Sequence, residues 1–358
     1  MTEGGLKAMT RAKALKVGHF VCEFATPGIG HILKGAGCDY VLLDMEHSGF
    51  SHETVKSLIR YFQAAGLPAI VRPPSKDYHH VARLADMGAE GFLLPMVGTV
   101  ADAEAAVRAI KYFPDGARGV ALGIAHDDYR GGPVAEKLAA ANRRTTVIAL
   151  IETAEAIDNI DAIAAVEGVD CLWLGHFDLS ASLGLPGAFD HPDFIAAVDR
   201  LRAAARRHDR ALGKMVATPE EGVAVYADGF DFVCYSGDVW LMQSALAAGV
   251  AAIRAGVAKR PAQTAKGSTA KPSAAKGTAA KASAAKTSST GTPAAKVSST
   301  KAGPATASPA KTPPTKSKRA AKGSAAAPKP ATAEAATGAT TPSAEPAERP
   351  KRRARGKA

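Results

Sequence analysis

Eight short apolar runs recur through the first 257 residues, and each is continuous rather than alternating: His19–Phe24, Tyr40–Leu43, Ala69–Val71, Gly91–Leu94, Val147–Ile151, Cys171–Leu174, Leu212–Val216 and Phe230–Cys234. A strand with one wet face alternates apolar and polar residues, whereas a strand covered on both faces reads as an unbroken apolar stretch. Helical periodicities lie between the runs. Val55, Leu58, Ile59 and Phe62 fall at i, i+3, i+4 and i+7, giving one apolar face. Asp77 precedes a helix carrying Val81, Leu84 and Ala85, and a helix over Phe194–Arg207 places Phe194, Ala197, Val198 and Leu201 together. Thr218-Pro219-Glu220-Glu221 supplies an N-cap, a proline at the first helical position and a Glu at N3, the pattern of a capping box. This alternation predicts parallel βαβ units, and eight of them in about 250 residues favour a closed (β/α)8 TIM barrel over an open doubly wound sheet. The stretch Phe113–Asn142 is less regular and is expected to form an elaborated loop near the barrel mouth.

Charge divides the chain in two. Residues 258–358 carry 15 Lys and 6 Arg against 3 Glu, a net +18, so residues 1–257 hold −7 of the chain's +11. The first part suits a soluble enzyme domain of one barrel and needs no nucleic-acid role to explain it. The second part has no Leu, Ile, Met, Cys or aromatic residue, and Val297 is its one larger aliphatic side chain. Such a segment cannot bury enough apolar surface to offset its ordering entropy, and disorder is expected. Its lysines 266, 271, 276, 281, 286, 296, 301, 311 and 316 are spaced by multiples of five. A five-residue step builds no single helical face, so the repeat spreads charge along the chain.

The four cysteines, Cys22, Cys38, Cys171 and Cys234, sit at or beside predicted strands without CxxC spacing. They read as small buried hydrophobes in a reducing compartment. No apolar run approaches the roughly 20 residues that span a bilayer, and the N-terminus lacks the apolar core of a secretion signal, so a cytoplasmic location is expected. The chain has no phosphate loop, dinucleotide fingerprint or paired-cysteine zinc motif.

Five polar residues, Asp44, His47, Arg72, Glu152 and Asp178, each lie just past one of the apolar runs. In a β/α barrel these positions converge on the mouth where active sites are built. Glu152 and Asp178 follow the fifth and sixth strands, and two carboxylates with open water positions suit Mg²⁺ or Mn²⁺. Asp178 is equally placed to cap the helix beginning near Leu179. Arg72 ends AIVRPP, where it can clamp a carboxylate or stabilise an enolate, or simply pair with a neighbouring strand-end acid. His47 follows Asp44 by three residues, and a carboxylate that orients an imidazole makes a general base, although a histidine in such a place is often only a surface residue. His126, His176 and His191 blur that signal. Lys214, inside the seventh run, is the chemical rival, because a buried lysine can form a Schiff base with a keto substrate.

The runs DYVLLDMEHSGFSHETV, AIVRPP, RLADMGAEGFLLPMV, ALIETAEAIDNIDAIAAVEGVDCLWLGHFDLSASLGLPG and GFDFVCYSGDVWL resemble the HpcH/HpaI family of class II, metal-dependent pyruvate aldolases, over roughly residues 14–253. That family includes 4-hydroxy-2-oxoheptanedioate and 2-dehydro-3-deoxyglucarate aldolases. The resemblance implies a β/α barrel, a hexamer with the last helix exchanged between partners, and a divalent cation (Mg²⁺, Mn²⁺ or Co²⁺) held by Glu152 and Asp178. It further implies aldol cleavage or condensation of a 4-hydroxy-2-oxo acid to pyruvate, or a close 2-oxo acid, plus an aldehyde through a metal-bound enolate, with Arg72 stabilising the enolate and His47, oriented by Asp44, moving the proton. Two positions depart from the pattern. Many members read GP(A/S)DLS where this chain has Gly175-His176-Phe177-Asp178-Leu179-Ser180, and many carry a Gln where Leu150 stands. A related lyase acting on a CoA-linked or phosphorylated acid is the alternative. The basic tail is similar in composition to those of linker histones, which suits either a loose partner such as DNA, RNA or another polyanion, or a solvated, solubilising segment.

Overall fold

The computed structural model describes residues 5–259. Eight parallel strands close on themselves in sequence order: β1 Lys16–Val21, β2 Tyr40–Asp44, β3 Ala69–Arg72, β4 Gly91–Leu94, β5 Thr146–Ile151, β6 Val169–Leu174, β7 Ala211–Val216 and β8 Phe232–Gly237. The expected (β/α)8 barrel is the observed one. The expected disordered tail lies outside the described residues.

The barrel has two apolar layers because alternate residues of a strand point to opposite faces. Val41, Leu43, Val71, Leu94, Val147, Ile151, Leu172, Leu174, Leu212 and Val216 face outward against the helices. Phe20, Tyr40, Leu42, Ile70, Leu93, Ile148, Leu150, Trp173, Phe232 and Cys234 fill the inside, and Leu6 of the helix Gly5–Arg11 joins them. Large rings fit inside because glycine stands opposite them. Trp173 is in register with Gly213, where a Cβ would lie 2.1 Å from the indole, and Tyr40 with Gly18, where it would lie 2.3 Å from the phenol ring.

Three expectations are corrected. The first strand ends at Val21 rather than Phe24, because the Asp238 carboxylate accepts hydrogen bonds from the backbone N–H groups of Cys22, Glu23 and Phe24 and turns the chain. The Phe113–Asn142 stretch is not loop throughout: it contains the start of a helix, Val134–Arg144, and lies along the helix Tyr78–Asp86, where the Gly119 N–H donates to Tyr78 Oη. Arg118 pairs with Asp86 at the far end of the helix Tyr78–Asp86, and Val134–Arg144 packs beside Gly5–Arg11 and pairs through Arg144 with Glu90, ahead of β4. At the expected capping box, Thr218 does accept from the Glu221 N–H, but Glu221 turns to the Ala217 N–H and to Lys214 instead of the cap.

The final helix, Asp238–Ala258, differs from the rest. It is 21 residues long, an 18-residue stretch of it has mean hydropathy 1.4, and only Asp238 in it is buried. Contrary to the sequence expectation, it is long and apolar enough, by length and composition, to cross a membrane; Ala and Gly between the larger residues hide this in a reading that looks for unbroken Leu/Ile/Val runs.

The glycine–ring pairing gives a direct test. Gly213→Ala forces a methyl group into Trp173, and overpacking of a filled core costs roughly 1–3 kcal/mol. Urea denaturation should show a lower midpoint at unchanged slope.

Candidate active site

Asp44 is the last residue of β2 and faces inward in line with Tyr40 and Leu42, with no solvent exposure. Arg72 stands opposite it on β3 and donates from Nε to Asp44 Oδ1 at 2.7 Å. The same carboxylate accepts the backbone N–H groups of Glu46 at 3.0 Å and His47 at 3.1 Å, and the Asp44 carbonyl accepts from Ser48 Oγ at 2.6 Å. One buried acid therefore fixes both an arginine and a turn. Arg72 also reaches Glu46 Oε2 through Nη1 at 3.2 Å and lies 5.6 Å over the Phe20 ring. Burial would lower the guanidinium pKa, but the hydrogen bond to Asp44 and the charges of Asp44, Glu46 and Glu152 outweigh it, so the pKa rises.

His47 is 67% exposed at its side chain, and its Nε2 lies 4.0 Å from Glu46 Oε2. Asp44 thus holds the His47 backbone, while the carboxylate beside the imidazole is Glu46. Sequence reasoning passed over Glu46, although it stands between Asp44 and His47 in DMEHS. Its pKa is raised, first by burial.

Glu152 follows β5 on the inward register of Ile148 and Leu150, and only 3% of it is exposed. Its Oε1 accepts the N–H of Met96 at 2.7 Å. Met96 presents that N–H from a left-handed backbone (φ 55°), a conformation a β-carbon disfavours and one that often marks functional turns. Burial raises the Glu152 pKa to about 7; the Met96 hydrogen bond and Arg72 pull it down, and the charges of Asp178 and Glu46 push it up. Asp178 sits in the first turn of the helix His176–Ser182, whose N-cap is Gly175. Gly175 is required there, since a Cβ would meet Glu152 Cβ at 2.6 Å and Oε2 at 2.8 Å. The Asp178 carboxylate is exposed and, among the described residues, accepts no hydrogen bond, so it is not spent as a helix cap.

The structure brings Asp44, Arg72 and Glu152 together with Glu46, and Asp178 acts electrostatically on both glutamates. Lys214 is set apart. It shares the outward register of Leu212 and Val216, and its Nζ pairs with Glu221 Oε1 at 2.6 Å. The other histidines also separate: His126 is buried in the Phe113–Asn142 segment, hydrogen-bonded to the Ala121 carbonyl, and His191 caps the helix Pro192–Arg207. His176 stays at the mouth beside Asp178; burial, then the Lys214 charge, lowers its pKa to about 4.

The model for the HpcH/HpaI aldolase/citrate lyase family matches residues 17–245. A 5-keto-4-deoxy-D-glucarate aldolase of Shigella boydii serotype 18 is 33% identical over 239 residues, spanning 67% of this chain and 92% of that protein. The crystal structure of an HpcH/HpaI aldolase from Desulfitobacterium hafniense DCB-2 superposes with a TM-score of 0.67 at 32% identity, over 72% of this chain and 98% of that one. A citrate synthase, SbnG, superposes with a TM-score of 0.65 at 27% identity, over 71% and 99%. A closed parallel barrel with acids and an arginine at its mouth, found beside such relatives, defines a carbon–carbon lyase that works by aldol cleavage. The chain belongs to the HpcH/HpaI aldolase/citrate lyase family, whose chemistry depends on a divalent metal.

Removing one member of a buried ion pair leaves an uncompensated charge, at a cost of about 3–5 kcal/mol. Asp44→Ala should lower stability by that amount in chemical denaturation and abolish turnover in the fraction that folds.

Proposed function

We propose that the enzyme cleaves a 4-hydroxy-2-oxo acid to pyruvate, or a close 2-oxo acid, and an aldehyde, using Mg²⁺, Mn²⁺ or Co²⁺. The observation that carries this reading is Glu152: a buried carboxylate satisfied on one oxygen by Met96, beside a fixed arginine and a second carboxylate that accepts no hydrogen bond among the described residues. Such a carboxylate costs free energy as a bare anion, and a bound cation offsets that cost. Among the described residues no cluster of three or more His, Cys, Asp and Glu is arranged for a metal ion. Two carboxylate ligands with open positions fit a hard cation that must also accept substrate oxygens. Glu152 and Asp178 would hold it, and when bound it supplies Lewis-acid polarisation of the 2-oxo acid.

The remaining work falls to the chain's own side chains. His47, exposed at the mouth, takes the proton from the 4-hydroxyl. The C3–C4 bond then breaks, its electron pair passes to C3 as the enolate, the aldehyde leaves, and C3 takes up the proton to give pyruvate. Arg72, locked by Asp44 and Glu46, presents positive charge where the enolate develops, and such preorganised charge is usually the largest catalytic contribution. Glu46, whose Oε2 lies 4.0 Å from Nε2, is the carboxylate placed to orient the His47 imidazole. The relatives are named for 5-keto-4-deoxy-D-glucarate, which, numbered from its keto end, is itself a 4-hydroxy-2-oxo acid. Pyruvate release from a panel of 4-hydroxy-2-oxo acids should need added metal, stop with EDTA and fall at least about a hundredfold in Glu152→Ala, as expected for loss of a metal ligand. Borohydride with pyruvate should leave it intact, because Lys214 is engaged by Glu221.

The exposed apolar face of the last helix, with Leu246, Val250, Ile253 and Val257, supports self-association through that helix. Sedimentation should report an oligomer, a hexamer by family resemblance, that Ile253→Glu shifts toward smaller species; partition of the wild type into lipid vesicles would contradict this. The +18 charge of residues 258–358, with no aromatic to read bases, supports a separable tether to nucleic acid through phosphates. Deleting residues 258–358 should abolish salt-sensitive DNA retention and leave aldol turnover unchanged.

A further inference from the structure

Beside the mouth, between the ends of β6, β7 and β8, lies a cavity of about 570 Å³ walled by His176, Phe177, Phe189, Phe194, Met215 and Trp240. Its aromatic wall is ordered. The His176 ring is 4.4 Å from Phe177 and 5.2 Å from Phe189; Phe177 and Phe189 meet edge to face at 5.4 Å, and Phe189 is 5.4 Å from Phe194. Edge-to-face packing at this spacing is favourable between rings, so the wall has a defined shape. The cavity adjoins the proposed site on two sides. His176 and Phe177 immediately precede Asp178, and Trp240 stacks at 5.7 Å on Phe20, the ring beneath Arg72.

The charges at this wall are already matched. Lys214 and Glu221 neutralise each other at 2.6 Å, and Arg72 is engaged by Asp44 and Glu46. A second substrate carboxylate entering here would lose its hydration without gaining a free cation, which burial penalises. An apolar group entering would cover Phe177 and Trp240, which are 65% and 50% exposed. The volume is that of an ordinary small-molecule pocket.

Resting on the pyruvate reading above, we propose that this cavity receives the part of the substrate that leaves as the aldehyde, and that the enzyme selects aryl or unbranched alkyl aldehydes over those ending in a second carboxylate. In the synthetic direction the C3 of the pyruvate enolate forms a bond with the aldehyde carbonyl carbon, and the carbonyl oxygen takes up a proton. No oxidant or further reactant is needed.

The test is condensation kinetics on the full chain with Mn²⁺ and pyruvate, comparing hexanal and phenylacetaldehyde with succinic semialdehyde. Exchange of the pyruvate methyl protons with D₂O, followed by NMR, reports enolate formation without any aldehyde. The apolar aldehydes should have kcat/KM at least about tenfold above the acid, the scale on which apolar pockets discriminate. Phe189→Ala and Phe177→Ala should erase that preference mainly through KM, Phe177→Leu should keep most of it, and proton exchange should stay at the wild-type rate in all three. Equal use of both classes, or preference for the acid, with exchange intact would overturn the cavity assignment alone. So would variants that change the sedimentation coefficient and leave selectivity untouched, since the rings would then belong to a contact between copies. Absence of exchange in the wild type would instead sink the pyruvate reading, and this assignment with it.

Discussion

A carboxylate with no solvent exposure must be matched by a charge or hydrogen bonds, and Asp44 is matched by both. Its partner Arg72 sits opposite on the next strand, and its remaining capacity closes the turn that carries Glu46 and His47. The register of β2 against β3 and the shape of the mouth are therefore one problem with one solution. A one-residue slip of either strand would turn Asp44 or Arg72 outward into the aliphatic layer, where neither is matched. A buried pair of this kind adds little net stability over an apolar pair, but it makes alternative arrangements costly. What it secures here is a fixed cation at the centre of the mouth.

Around that centre the barrel separates its tasks by strand face. The outer layer is aliphatic and holds the helices; the inner layer alternates rings with glycines low in the barrel and gives way to acids and arginine at the top. The same parity decides chemistry. Lys214 is one residue from the inward-facing Met215 and points the other way, so a lysine that looks suited to Schiff-base chemistry serves a part-buried ion pair with Glu221. Glycine is needed next to Glu152 as it is next to Trp173, because Gly175 lets the backbone pass within contact of the carboxylate.

The barrel was legible because buried parallel strands leave continuous apolar runs, and a local cap such as Thr218 marks a helix start. What failed to show were arrangements decided by long-range partners. The end of β1 is set by Asp238, more than two hundred residues away, and the path of the Phe113–Asn142 segment by Arg118 and Arg144 meeting acids elsewhere. At the site, strand-end position was enough to single out Asp44, Arg72 and Glu152. The partner of His47 was not legible: spacing of three in a turn suggested Asp44, whereas that carboxylate takes the backbone amide and leaves the imidazole to Glu46. The aromatic wall was visible only as an unusual His176-Phe177 pair, because Phe189, Phe194 and Trp240 reach it from other elements.

The central claim is that Glu152 and Asp178 jointly hold one divalent cation within reach of Arg72. Titration of Mn²⁺ into the protein, followed by its EPR signal, tests this without any turnover. The account predicts one bound ion per chain, binding weakened at least about tenfold in both Glu152→Gln and Asp178→Asn, as for loss of a ligand, and a changed bound-ion signal on adding pyruvate in the wild type but not in either variant. Unchanged Mn²⁺ binding in both variants would contradict it and move the cation, if any, to another part of the molecule.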